Sequence, residues 1–226
     1  MAWLRIAWAV AQHDIALELR RPVALAGAGL FGASALVTLH LALAGSGAPS
    51  EELAAGALWI VLVFAALLGV GRVVAVERED GTWDALLLAA TDRSALFIGK
   101  AGAAFGLTLV LHAVLVPAYL VFFAAPPTGT GVLQLLAAVV LADLGFAAVG
   151  VLVGVLGLRA RGRELLSATA FVPLVMPLVV ASVALSLHAW GAGTAGDPTQ
   201  LLSFGLAYAG TFLAAGLAAV PEIAVE

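Results

Sequence analysis

The sequence has no cysteine and few charged side chains. Only 11% of its 226 residues are Asp, Glu, Lys or Arg, compared with roughly 25% in an average soluble domain. Without cysteine, disulfides, thiolate catalysis and cysteine-ligated metal sites are excluded. Hydrophobic residues make up 63% of the chain, which is more apolar surface than a soluble core of this length can bury. The composition is therefore typical of a protein embedded in lipid.

Basic residues are also scarce, with ten Lys and Arg against 14 Asp and Glu and a net charge of −4. This balance has the wrong sign for a nucleic-acid partner. The one lysine, Lys100, does not complete a phosphate-binding loop, because Ser94 and Ala101 stand where the motif requires Gly and Ser or Thr. Gly-x-Ser-x-Gly and His-Glu-x-x-His motifs are missing as well. The sequence predicts no catalytic residue, no metal site and no ATP hydrolysis by this chain alone.

Long apolar stretches occupy most of the chain. Stretches of about 20 apolar residues are typical of transmembrane helices rather than of helices buried in a soluble core. The sequence therefore predicts an all-α integral membrane protein with a single transmembrane domain over residues 1–226. Its six transmembrane helices are predicted at residues 22–44, 53–76, 95–123, 132–158, 165–190 and 200–220.

The basic residues that are present all fall on one side of these six spans. The three opposite connections contain no Lys or Arg, and short translocated loops are depleted of both. This asymmetry predicts that the amino and carboxyl termini both lie in the cytoplasm. Residues 1–21 are predicted to form a weakly amphipathic helix at the membrane surface, with one apolar stripe made of Leu4, Trp8, Ile15 and Leu19.

The densest polar stretch lies on the predicted cytoplasmic face, between the second and third spans. We call residues 77–90 the coupling segment; its candidate contact residues are Glu77, Glu79, Asp80, Gly81, Thr82, Trp83, Asp84, Leu86 and Leu87. Thr82 is predicted to cap a short helix with Asp84 in its first turn, which places the apolar residues on one face. Two interpretations stay open: an interfacial helix between spans, or a helix that fits a groove on a cytoplasmic partner with a basic surface.

A basic cluster formed by Arg159, Arg161 and Arg163 lies on the same predicted face. Positive-inside topology accounts for these arginines without a protein partner. Anionic lipid head groups would satisfy them equally well, so membrane lipid is the expected contact.

Asp143 is the ionisable residue that falls near the middle of a predicted span. A charge at that depth is costly unless it is paired, hydrated or neutralised. Thr108, His112 or a serine on another helix are candidate partners, and His112 is the favoured one. Two roles are open for Asp143 and His112: a structural polar contact between helices, or a substrate or proton site.

Several glycines and prolines predict how the helices meet. The pairs Gly102–Gly106 and Gly150–Gly154 have the small-xxx-small spacing that lets helices approach closely. Pro173 and Pro177 are predicted to kink the fifth span and to free backbone groups that neighbouring helices must satisfy.

Together these positions form a pattern that covers nearly the whole chain. It consists of Leu58-Trp59 opening the second span, Arg72 near its inner end, Glu79-Asp80-Gly81-Thr82 leading into Leu86-Leu87-Leu88, Lys100 opening the third span, and Gly157-Leu158-Arg159 before Pro173 and Pro177. The chain resembles the haem exporter protein B family, CcmB, the permease subunit of a bacterial cytochrome c maturation transporter. The most specific part of the resemblance is the acidic Asp-Gly segment with the leucines that follow it.

The resemblance implies an ABC exporter permease of the bacterial inner membrane that pairs with a separate ATPase subunit, CcmA. It also implies that CcmC, CcmD and the haem chaperone CcmE act beside it, and that ATP hydrolysis drives haem export or release of the haem-loaded chaperone. ATP would then bind to the partner, haem would be the candidate cargo, and no cofactor is assigned to this chain. Residues 77–90 become the coupling element, and a permease homodimer would present two of them to two ATPase subunits.

Two other functions remain open from the sequence. One is an ABC permease of the same fold that exports a drug, lipid or glycan. The other is an ion-coupled carrier or intramembrane enzyme that uses Asp143 and His112.

Overall fold

The computed structural model describes residues 2–20, 22–44, 50–79, 92–123, 127, 129–157, 163–193 and 196–223. These residues form helices and no strands, as predicted for an all-α protein. The helices are α1 (Ala2–Arg20), α2 (Val23–Ala44), α3 (Glu51–Glu79), α4 (Arg93–Phe122), α5 (Thr130–Gly157), α6 (Arg163–Ala189) and α7 (Pro198–Ile223).

Six helices, α2 to α7, are long and apolar enough to cross a membrane. Their candidate spans are Val23–Leu43, Glu51–Gly71, Arg93–Phe122, Thr130–Gly157, Thr169–Ala189 and Pro198–Val220. The predicted six-span architecture is confirmed, and an even number of spans returns the two ends of the bundle to the same side. That this side is cytoplasmic, and that residues 1–226 form a single domain, remain predictions.

Helix α3 extends beyond the predicted second span. That span was predicted to end at residue 76, and α3 continues to Glu79. Glu77 and Glu79 therefore belong to a helix rather than to a loop. The helix runs on because no glycine or proline follows Gly71 before Gly81.

The centre of the bundle is α5, which contacts α3, α4, α6 and α7. Apart from Asp143 it carries no charged residue, and a helix that is hydrophobic all round is typical of a buried position. Gly150 allows α3 to approach α5 closely, because a side chain there would collide with Val70. The outer helices α2 and α7 expose apolar residues such as Leu30 and Leu206, which suits contact with lipid.

A buried hydrogen bond joins α3 to α6. The indole Nε1–H of Trp59 donates to Ser186 Oγ over 2.9 Å, and the Ser186 hydroxyl donates to Ser182 O, one turn earlier in α6. Trp59 and Ser186 are both buried. The hydroxyl thus satisfies a donor that no water can reach.

Replacing Ser186 with Ala is expected to lower the free energy of unfolding by about 1–3 kcal/mol, because the Trp59 donor is left buried without an acceptor. Ser203→Ala is the matched control, since the exposed Ser203 hydroxyl bonds only to the backbone of its own helix, at Gln200 O. Its expected effect is within about 0.5 kcal/mol. Unfolding in mixed detergent micelles measures both values, and equal values for the two variants would contradict the assignment.

A side chain of α7 forms a hydrogen bond with the backbone of α6 beside the two prolines of α6. Pro173 and Pro177 both lie inside α6. Tyr208 of α7 donates its hydroxyl to the carbonyl oxygen of Leu174, between the two prolines. A neighbouring helix thus bonds to the backbone near the prolines, while the predicted kink of this span stays a prediction.

Candidate functional site

The structure describes the start of the coupling segment, residues 77–79, and resumes at Asp92, just beyond its end. Glu77 and Glu79 lie in the last turns of α3, and their side chains are outside the description. The predicted contact residues Asp80, Gly81, Thr82, Trp83, Asp84, Leu86 and Leu87 lie outside the described residues. The same holds for Arg159 and Arg161, while Arg163 begins α6 and only its backbone is described. The capped amphipathic helix and the basic cluster therefore stay predictions.

Helix α1 lies alongside the first half of α4 and runs in the same direction. Its start is fixed by Trp3, whose Nε1–H donates to Ser94 Oγ over 2.8 Å. Further along, a Cβ added at Gly99 would lie 2.7 Å from Ala7 O, and one at Gly106 would lie 3.4 Å from Ile15. Successive turns of α1 therefore meet successive turns of α4, and the glycines provide the space.

The buried side of α1 is made of small residues, Ala7 and Ala11. The stripe predicted from the sequence is largely on the other side, with Leu4, Trp8 and Leu19 exposed. Exposed apolar side chains and a buried alanine face are compatible with a helix that binds protein on one side and lipid on the other. The placement of α1 at the membrane surface stays a prediction.

The first turn of α4 is tied to α1 through a chain of hydrogen bonds. Asp92 caps α4, and its Oδ1 accepts from Ser94 N over 2.9 Å and from Ser94 Oγ over 2.6 Å. The same Ser94 hydroxyl accepts from Trp3 of α1. An Asp cap satisfies backbone donors that a helix start otherwise leaves free. The point at which the chain leaves the coupling segment is thus anchored on α1.

A second anchor, which we call the Lys100 junction, consists of Lys100, Asp14 and the backbone of Val73. Lys100 is 1% exposed, and its Nζ lies 3.1 Å from Asp14 Oδ2 of α1. The same Nζ donates to Val73 O of α3 over 3.1 Å. One ammonium group therefore holds α1, α3 and α4 together near the carboxyl end of α3 and the amino end of α4.

Deeper in the bundle, His112 and Asp143 meet between α4 and α5. His112 Nδ1 lies 2.6 Å from Asp143 Oδ1, and His112 Nε2 lies 3.1 Å from Leu62 O of α3. Both side chains are fully buried. The predicted contact is present, whereas Thr108, the other partner considered, bonds to the backbone of its own helix.

The proton count of the His112–Asp143 pair follows from its partners. Leu62 O can only accept, so Nε2 carries a proton and donates it. One further proton is shared between Nδ1 and Asp143 Oδ1, which makes the pair neutral whichever atom holds that proton. A neutral pair avoids the cost of an isolated charge in the bilayer. Asp143 Oδ2 has no hydrogen-bond partner among the described residues.

Among the described residues, two buried clusters contain ionisable side chains, and sequence reasoning found one of them and missed the other. Asp143 and His112 stood out because both lie at mid-span depth. The Lys100 junction was missed, although a lone Lys inside an apolar stretch and a lone Asp in α1 are opposite charges of the kind that pair when buried. Within the described part of the chain, no group of three or more His, Asp or Glu side chains could hold a metal ion.

Comparison with known proteins gives one match that covers nearly the whole chain. A protein-family model described as CcmB protein matches residues 5–223. A search of curated proteins finds no match. The family match spans all six membrane helices, both polar clusters and the coupling segment. The chain belongs to the CcmB protein family.

Proposed function

We propose that this chain is the membrane permease subunit of an ABC transporter for cytochrome c maturation. It couples ATP hydrolysis by a separate subunit to haem export or to release of the haem-loaded chaperone. The observation that carries the proposal is the family match over residues 5–223 on a six-span helical bundle. Haem is the cargo, and the chain itself binds no cofactor and is not an enzyme.

The ATPase subunit, CcmA, docks on the coupling segment. The helix-in-groove mode of recognition needs an apolar face, which Trp83, Leu86 and Leu87 supply. The acids Glu79, Asp80 and Asp84 select a partner groove with a basic rim. Support comes from the two helices that flank the segment, because α3 extends to Glu79 and α4 begins after the Asp92 cap.

Closure of the ATPase dimer moves the docked segment and, through α3 and α4, tilts the helix bundle between two states. The energy for this change comes from the different affinities of the partner for the two states. A permease homodimer presents two coupling segments to two ATPase subunits, in keeping with the common two-fold symmetry of oligomers. CcmC, CcmD and the chaperone CcmE complete the assembly in the bacterial inner membrane. Anionic lipid contacts Arg159, Arg161 and Arg163.

Co-purification tests this proposal. The tagged chain, extracted from its host in mild detergent, is expected to bring with it an ATPase subunit in equal copy number. Absence of any ATPase subunit from the purified material, with the chain itself folded, would contradict the proposal. Recovery of the subunit together with glycan or lipid synthesis enzymes instead of CcmC or CcmE would point to another cargo.

The orientation of the bundle is tested by labelling single cysteines, since the native chain has none. A cysteine at Ser46, in a connection without basic residues, is expected to react with a membrane-impermeant maleimide in intact spheroplasts. A cysteine at Gly162, beside the basic cluster, is expected to react only after the cells are opened. The reverse labelling pattern would contradict the cytoplasmic placement of the coupling segment.

A further inference from the structure

The Lys100 junction is an unusual way to hold three helices together. Its ammonium group is almost completely removed from solvent, which costs free energy unless the charge is paired and hydrogen-bonded. The pair with Asp14 and the bond to Val73 O meet that cost. Because well-packed apolar residues commonly stabilise such a position as well as a buried ion pair does, stability alone does not explain why charge is placed here.

The location of the junction suggests another reason. Val73 lies about one turn before Glu77, where the coupling segment begins, and Lys100 lies about two turns after the start of α4 at Arg93. The described chain therefore runs to Glu79, just beyond one arm of the junction, and resumes at Asp92, just before the other. The second anchor, Trp3 to Ser94 to Asp92, holds the point where it resumes. Both anchors attach to the same helix, α1.

The hydrogen bond from Lys100 to Val73 O joins one defined atom of α4 to one defined atom of α3. A side chain that packs by apolar contact can slide, whereas the Nζ–H to carbonyl bond at 3.1 Å ties the turn of α3 at Val73 to Lys100. Asp14 in turn fixes the ammonium group from α1. The end of α3 is thereby held at a set position relative to α4.

We infer that Lys100 is a positioning residue for energy coupling: with Asp14, it holds the end of α3 so that movement of the docked coupling segment is transmitted to the bundle as a whole. This role rests on the proposed function. Helix α1 serves as the fixed element against which both ends of the segment are held. The junction itself touches neither haem nor ATP.

The test uses a variant that keeps the packing but removes the polar geometry. In Asp14→Leu with Lys100→Met, both charges are replaced together by apolar side chains of similar length, so the thermal stability of the purified complex is expected to remain near that of the native complex. Binding of the ATPase subunit is also expected to persist, because the coupling segment is unchanged. The amount of haem-loaded chaperone released for each ATP hydrolysed is expected to fall about tenfold, which corresponds to roughly 1.4 kcal/mol of lost coupling free energy.

Two further variants serve as controls. Lys100→Arg retains a donor and a positive charge and is expected to keep most of the native coupling. Gly102→Ala alters the same interface of α1 and α4 without touching the junction, since the added Cβ lies 3.7 Å from Ala11, and it is expected to couple normally. Native coupling in the double apolar variant would overturn the inference and leave Lys100 with a packing role only.

A distance measurement separates failure of this inference from failure of the proposed function. Spin labels are placed at His13→Cys in α1 and at Gly71→Cys in α3, two exposed positions in a chain with no native cysteine. The distance distribution is expected to be narrow with Lys100 present and to broaden in the double apolar variant, with or without an ATPase subunit. An unchanged distribution would overturn the positioning role even if the transporter function stands. If the distance distribution broadens but the chain binds no ATPase subunit, Lys100 still positions α3. Its role in energy coupling is then refuted, and the proposed function is refuted with it.

Discussion

Reversing three acidic charges in the coupling segment, by Glu79→Lys, Asp80→Lys and Asp84→Lys, is expected to abolish recovery of the ATPase subunit with the chain. Three lysines would face the basic rim of the partner groove, and like charges brought together at an interface cost several kcal/mol. The affinity for the ATPase subunit should fall by roughly 100-fold or more. Co-purification and titration of the purified subunits measure this loss directly.

A matched control comes from acids elsewhere on the same predicted face. Glu222→Lys with Glu226→Lys makes charge changes of the same kind near the carboxyl terminus and is expected to leave ATPase recovery unchanged. High salt should weaken native binding only modestly if the apolar face of the segment supplies most of the affinity. Full recovery of the ATPase subunit with the triple variant would place the docking surface outside the coupling segment.

The second large effect is expected at the buried pair in the middle of the bundle. His112→Leu leaves the Asp143 carboxyl group without its hydrogen-bond partner in a fully buried position. The free energy of unfolding should fall by about 2–4 kcal/mol. Asp143→Asn is the conservative counterpart, because the Asn amide can donate to His112 Nδ1 while Nε2 keeps its bond to Leu62 O. Its cost should stay below about 1 kcal/mol.

The double variant His112→Leu with Asp143→Leu removes both polar groups together. It should recover most of the stability lost in His112→Leu, because neither buried polar group is left unpaired. With Asp143→Leu alone as the fourth corner of the cycle, unfolding in mixed micelles gives the coupling free energy of the pair. If the pair is structural, Asp143→Asn should also retain cytochrome c maturation. Loss of maturation in a well-folded Asp143→Asn protein would instead favour the ion-coupled carrier or intramembrane enzyme, in which Asp143 exchanges a proton.

The sequence predicted the membrane architecture well because length and hydropathy carry that information locally. Each span needs about 20 apolar residues regardless of what it packs against, so all six were placed to within a few residues. The end of α3 could not be predicted from the span, because charged residues such as Glu77 and Glu79 mark the edge of the bilayer, whereas the helix continues to Glu79.

Contacts between helices were predicted only where ionisable side chains fell at the same depth of two predicted spans. His112 and Asp143 are the two ionisable side chains at mid-span, so each was the natural partner of the other. No comparable sign in the sequence indicated that Asp14 and Lys100 lie at the same depth. Helix α1 was expected at the membrane surface, and its contact with α4 was not predicted. The bond from Trp59 to Ser186 depends on the rotation of α3 and α6 about their axes, and no local pattern encodes that rotation.

The most direct test of the central claim is the covalent haem content of c-type cytochromes in host cells that lack this chain. The account predicts that these cytochromes are made without haem. Native protein should restore haem attachment, whereas the variant with lysine at Glu79, Asp80 and Asp84 should not, although it inserts in the membrane normally. Full haem attachment in cells without the chain, or full rescue by the charge-reversed variant, would contradict an ATP-driven haem-handling permease whose energy enters through the coupling segment.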